Sequence, residues 1–149
     1  MILHQDHKLI YNGQVAFEFP NGMCFDFHPE NPLWEDGFQL IAPDRSFKLT
    51  LTFLTVDKSA HTFAAEIYEE SDNLHAIEPV HMITAEDDLT GYATTYAYTD
   101  EVVEEVTLDL PGEHHALLNM CLWRRRDRPY DEQLWEKAKA DVLRTIHAV

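Results

Sequence analysis

Cationic side chains are scarce in this 149-residue chain: 11 Lys and Arg stand against 27 Asp and Glu, a formal net charge of -16. The average field of such a molecule repels phosphate backbones and anionic lipid, so nucleic acid and membrane surfaces are poor partners and basic ones are favoured. Cysteine is scarcer still. Cys24 and Cys121 are too few for a disulfide framework, and both sit in apolar strand-like runs where a free thiol behaves as a small hydrophobe. Both are expected to be reduced. No run approaches 18 apolar residues, and MILHQDHKLIYNGQ at the N-terminus has no basic leader, apolar core or small-residue cleavage site. A cytoplasmic location without membrane insertion is the expectation. There is no GxSxG, no glycine-rich phosphate loop before a helix, no HExxH and no paired Cys/His spacing, so neither a catalytic residue nor a cofactor is predicted. No Gly/Ser linker or internal repeat divides the chain. Residues 1–149 therefore read as one domain, which at this size buries roughly 68–70% of the surface its unfolded chain exposes.

What the chain does have is clear punctuation. Two short apolar runs flank Asn12-Gly13, the dipeptide of a tight hairpin turn. HPENPLWEDG (28–37), with two prolines and three acids, is predicted to be a loop. In GFQLIAPDRSFKLTLTFLTV (37–56) a Pro-Asp turn joins two strands, and Leu49, Leu51 and Phe53 alternate with Thr50, Thr52 and Leu54, the period of a sheet with two unequal faces. Ser59 caps a helix with Phe63, Ala64 and Ile67 on one side. Strand-like runs at 77–85, 91–99, 101–110 and 114–126 follow with short connections, which implies an antiparallel meander. YDEQLWEKAKADVLRTI (130–146) closes the chain as a helix whose buried stripe is Leu134, Trp135, Ala138, Val142 and Ile146. An antiparallel sheet of six to seven strands packed with two main helices is an α+β sandwich.

In element order, FEFP, the loop with Trp34, GFQLIAPDRSFKLTL, SAHTFAAEIYEE, the Gly-led GYATTYAYT and LWEKAKADVLRTI together resemble the PsbP-like superfamily. That group includes the DcrB-like proteins and among them the chaperones of type VI secretion effectors. The resemblance spans nearly the whole chain and implies a PsbP-like α/β/α sandwich. Its motifs are structural and carry no shared catalytic residue. Most members bind other proteins, so it also implies a binding module, by fold analogy.

Three constellations invite a functional reading. Four arginines crowd into positions 124–128 of CLWRRRDRP. If Pro111-Gly112 turns the preceding hairpin, facing residue numbers sum to about 225, which sets Arg124 near Glu101 and Arg126 near Thr99 and Asp100. The cluster is then a counter-charge on a strand end, a contact for a partner's carboxylates or an anion, or a nucleic-acid patch, and the last wants a basic stripe with interleaved aromatics. Secondly, HQDH (His4, His7) and His114-His115 lack the spacing of a zinc site, even with Asp6 or Glu113, and no metal is predicted. Thirdly, Tyr92, Tyr96 and Tyr98 share one face of a strand with Thr94, and Ala93, Thr95 and Ala97 share the other. The rings either pack under a helix or form an aromatic contact surface, and the small face leaves room for something else. Glu104 and Glu105, adjacent on a strand, point to opposite faces and cannot work as an acid/base pair.

These readings converge on a non-enzymatic, cytoplasmic protein-binding module, an adaptor or chaperone for an apolar or basic segment of a protein partner. Tyr92, Tyr96, Tyr98, Trp123, Arg124 and Arg126 are its candidate binding residues. The alternative is a small-molecule or anion sensor with Trp123, Arg124 and His115 in a pocket between sheet and last helix.

Overall fold

Alternation builds the sheet. Along Phe47–Leu54, Phe47, Leu49, Leu51 and Phe53 are at most 2% exposed, while Lys48, Thr50, Thr52 and Leu54 on the opposite face are exposed or half-buried. The structure is a computed structural model that describes residues 2–5, 8–11, 15–20, 22–25, 33–34, 37–70, 75–84, 89–97, 99–110 and 115–148. In chain order its elements are β1 (Ile2–Gln5), β2 (Lys8–Tyr11), β3 (Val15–Glu18), β4 (Cys24–Phe25), β5 (Leu33–Trp34), β6 (Gly37–Ile41), β7 (Phe47–Leu54), α1 (Ala60–Glu70), β8 (His75–Thr84), β9 (Thr90–Ala97), β10 (Glu101–Leu110), β11 (Ala116–Arg125), α2 (Glu132–Thr145) and β12 (His147–Ala148).

Six longer strands form the main sheet in the order β6-β7-β11-β10-β9-β8, and the two-residue β4 and β5 both pair with β6. Every pairing is antiparallel. With one helix on each face, this is the α+β sandwich expected from the sequence. On one face α2 buries Trp135, Ala138 and Val142 against Phe47, Leu49 and Met120. On the other, α1 lies over β8, β9 and β10, where Ile67 packs on the small cluster Tyr96, Val103 and Cys121.

The helix starts are fixed by side chains. Asp131 Oδ1 accepts the Leu134 N–H at 3.0 Å at the head of α2. Ser59 Oγ accepts the Thr62 N–H at 3.1 Å at the head of α1, and Asp109, reaching over from β10, accepts the Ala60 N–H at 2.9 Å. Each contact satisfies an N–H that the first turn leaves without a partner.

A second sheet was not foreseen. β1, β2, β3 and β12 pair in that order, all antiparallel, and Phe17 of β3 meets Phe53 of the main sheet with ring centroids 6.1 Å apart. The small sheet and α2 thus cover the same face. Strands β2 and β3 flank the expected Asn12-Gly13 turn, Tyr11 opposite Val15, although the turn itself lies outside the described residues. Two expectations are corrected. Leu33 and Trp34 of the presumed 28–37 loop form β5, opposite Phe38 and Gly37. Cys24, read as a small hydrophobe in an apolar run, is exposed on its two-residue strand, whereas Cys121, read in the same way, is buried.

Candidate functional site

Small side chains on β9 open a space above the sheet. Ala93 and Thr95 face α2, and no large residue rises from that strand to meet the helix. The result is a cleft of about 310 Å³ between α2, β8 and β9. Its floor is Ala93, Thr95 and Val106; Glu136, Lys139 and Leu143 of α2 form one wall, and Glu78, His81 and Ile83 of β8 the other.

The β8 wall depends on a bulge. Glu78 lies opposite Thr95 and His81 opposite Ala93, so three steps along β8 match two along β9. Without the extra residue Glu78 and His81 would point to opposite faces; with it, both face the cleft. Pro79 sits inside this irregularity, where a missing backbone N–H is tolerated. His81 Nδ1 lies 3.0 Å from the Pro79 carbonyl and its Nε2 3.5 Å from Glu78 Oε1.

Glu104 rises from β10 beneath α2 and is the hub of the polar contacts. The buried Trp135 indole donates to its Oε2 at 2.7 Å. Lys139 Nζ donates to Oε1 at 3.2 Å and to Glu136 Oε1 at 3.2 Å, and it sits 5.1 Å from the Trp135 ring centroid. Burial alone would lower the Lys139 pKa, but the charges of Glu104 and Glu136 and their hydrogen bonds outweigh it, so the ammonium is held above the ordinary lysine range. Lys139 is therefore a fixed cation at neutral pH, with no free-amine form to act as nucleophile or base. Three carboxylates against one ammonium leave the cleft negative, which suits a guest cation.

Glu105 faces the other way and builds a separate network. It is 3% exposed; the Tyr96 hydroxyl donates to Oε1 at 2.8 Å and Asn119 Nδ2 to Oε2 at 3.0 Å. Cys121 donates from Sγ to Asn119 Oδ1 at 3.1 Å. Burial first, and the Glu105 charge second, push the Cys121 thiol well above its ordinary pKa.

Of the six residues picked from the sequence, none of the five that are described lines the cleft. Tyr92 lies against His61 of α1, ring centroids 4.8 Å apart; Tyr96 is buried on Glu105; Tyr98 lies outside the described residues. Trp123, half-buried, donates its indole N–H to Thr50 Oγ1 at 3.1 Å and packs on the Tyr96 cluster. Arg124 stacks over Tyr130, 4.5 Å from the ring centroid. Arg126 is exposed and gives its backbone N–H to the Asp100 carbonyl at 2.9 Å. The structure thus brings Tyr96 and Trp123 together but puts Arg124 on the opposite face. His115, at the start of β11, is most of a strand away from both Trp123 and Arg124, so these three form no common pocket. The arginine register also needs correction: Glu101 pairs with Arg125, and Val102 with Arg124, so facing numbers sum to 226 and not 225, because five residues separate Leu110 from its partner Ala116. His4 and His115 belong to described segments, while His7 and His114 do not. Among the described residues no group of three or more His, Cys, Asp or Glu is arranged to hold a metal, and no helix is long and apolar enough to cross a membrane.

The signal for the cleft was the small face of the tyrosine strand. The sequence showed that space but not its walls.

No protein-family model matches the chain, and no curated protein matches it. A solved structure from Bacteroides thetaiotaomicron VPI-5482 aligns with 97% of this chain and 49% of its own length, at 14% identity and a TM-score of 0.49. The chain spans about half of that protein, and a likeness of this degree says nothing of what either one binds.

Proposed function

We propose that the protein is a non-enzymatic, cytoplasmic binding module that takes a cationic group of a protein partner, a lysine or arginine side chain on a basic segment, into the cleft beside α2. One observation carries the reading: Glu78, Glu104 and Glu136 line a space in which, among the described lining residues, Lys139 is the one Lys or Arg counter-charge. The net charge of -16 supports it by drawing basic partners in over a longer range. The binding role implied by the PsbP-like resemblance is retained; its residues are not those first picked from the sequence.

Glu78 and Glu136 are the carboxylates to test, with side chains 57% and 62% exposed, so their replacement leaves the core intact. Titration calorimetry with a lysine-bearing peptide should show binding that Glu78→Gln and Glu136→Gln together weaken at least tenfold. A glutamate-bearing control that binds as well as the lysine peptide, or a double variant that binds as well as the parent, would sink the reading.

A second reading keeps a small organic cation as the whole ligand. The cleft volume favours it, lying at the lower end of the range that holds small molecules, roughly 300–1,000 Å³. An anion is disfavoured by the same charges, and Arg124 is already engaged with Tyr130. A thermal-shift series of amines and guanidines separates this reading from the peptide one.

A further inference from the structure

The two ends of the main sheet are finished differently. At the β6 end, the two-residue β4 and β5 both pair with the last long strand. At the other end is β8, ten residues long, and among the described residues no strand pairs with its outer edge. An unpaired edge presents a row of backbone donors and acceptors to an extended chain. The bulges and Pro79 interrupt the first part of β8, but from His81 to Thr84 its pairing with β9 is regular. The strand also carries the two exposed large hydrophobics found among the described residues, Ile77 at 56% and Met82 at 68% exposed.

We propose that β8 receives an extended basic segment of the partner as an added strand, with a lysine or arginine of that segment entering the cleft. This rests on the cleft reading above and supplies the mode of docking. An added strand lies about 4.8 Å from β8 and its side chains alternate between faces. Those on the α2 face come beside His81, Glu78 and the cleft mouth; those on the α1 face come beside Met82. The fitting sequence therefore alternates basic and apolar residues. Charge decides the occupant. A second copy of this chain would bring another -16 to the same edge, whereas a cationic strand offsets Glu78 on β8 and the Glu104 and Glu136 carboxylates of the adjoining cleft.

The probe is a synthetic seven-residue peptide of alternating lysine and valine, with a glutamate-valine peptide as control. Binding to the full chain is followed by calorimetry and by hydrogen exchange of those backbone amides of 81–84 that point away from β9. The proposal expects the lysine peptide to bind, to slow exchange at those amides, and to lose at least tenfold in affinity when one set of its alternate amides is N-methylated. Met82→Lys should weaken it by a similar factor and lie outside any effect on the fold, since that side chain is on the surface. Binding that ignores N-methylation and Met82→Lys but falls with Glu136→Gln overturns the added strand and leaves the cleft reading standing. Failure of the lysine peptide to bind at all overturns both. A concentration-dependent dimer by sedimentation, with the same amides protected before any peptide is added, overturns the proposal in favour of self-pairing.

Discussion

At the residue scale the most exacting position is Glu105, a buried carboxylate whose two oxygens each take one donor, Tyr96 and Asn119. Removing a donor from a buried acceptor costs about 1–3 kcal/mol, more than the net worth of the hydrogen bond itself. Tyr96→Phe should therefore lower the urea-unfolding free energy by that amount, and adding Glu105→Leu should recover part of the loss, because no buried carboxylate is then left wanting. Strict additivity of the two changes would show that the pair is not coupled. The thiols give a second measurement at this scale. Cys121 is buried and its ionisation is suppressed first by desolvation and then by the Glu105 charge, whereas Cys24 is exposed. An aromatic disulfide reagent at about pH 8 should titrate one thiol at once and the second only after denaturation, since the thiolate is the reacting form. Two equally fast thiols would contradict the packing around Cys121.

At the scale of elements, the start of α1 is tied to the far strand by a titratable link. His115 Nδ1 lies 3.0 Å from the Val56 carbonyl and Nε2 3.1 Å from Asp109 Oδ1, the same oxygen that accepts the Ala60 N–H. Both ring nitrogens face acceptors, so the imidazolium, with two N–H groups, fits better than the neutral ring. The hydrogen bond to Val56 first, then that to Asp109, raise the His115 pKa above its ordinary value. A pKa raised by folding stabilises the native state fully below the unfolded value, about 6.5, and the contribution fades as pH climbs through the higher folded value. The difference in thermal midpoint between the parent and His115→Gln should accordingly be largest near pH 5.5 and shrink by pH 8.5. A difference that grows with pH would reverse the assigned sign. Helices such as α2 were legible in the sequence because Trp135, Ala138 and Val142 recur at helical spacing, and β7 because its alternation is strict. The register of β10 on β11 was missed by one, since nothing in strand periodicity states the length of a connection, and one residue of slip exchanges faces. The second sheet escaped notice because strands of two to four residues are too short to show a period. For the cleft, the floor was visible as Ala93 and Thr95, but Glu104 and Lys139 stand 35 positions apart, and the β8 wall exists only through the bulge at Pro79.

At the scale of the whole molecule, charge makes two demands of opposite sign on salt. An excess of 16 negative charges repels itself in the compact state, so screening should stabilise the fold. The same excess draws in a basic segment, so screening should weaken its capture. The Debye length falls from about 30 Å at 0.01 M to about 10 Å at 0.1 M, a change from spanning the molecule to spanning a few side chains. Across that interval the thermal midpoint should rise while the association rate of a lysine-valine peptide drops several-fold, with its dissociation rate changing less. Acidification tests the same logic without added ions. Protonating the nine histidines offsets more than half of the net charge, so moving from pH 7.5 to 5.5 at constant ionic strength should also slow association. An association rate indifferent to both salt and pH would mean that contact area, and not the acidic field, brings the partner to the cleft.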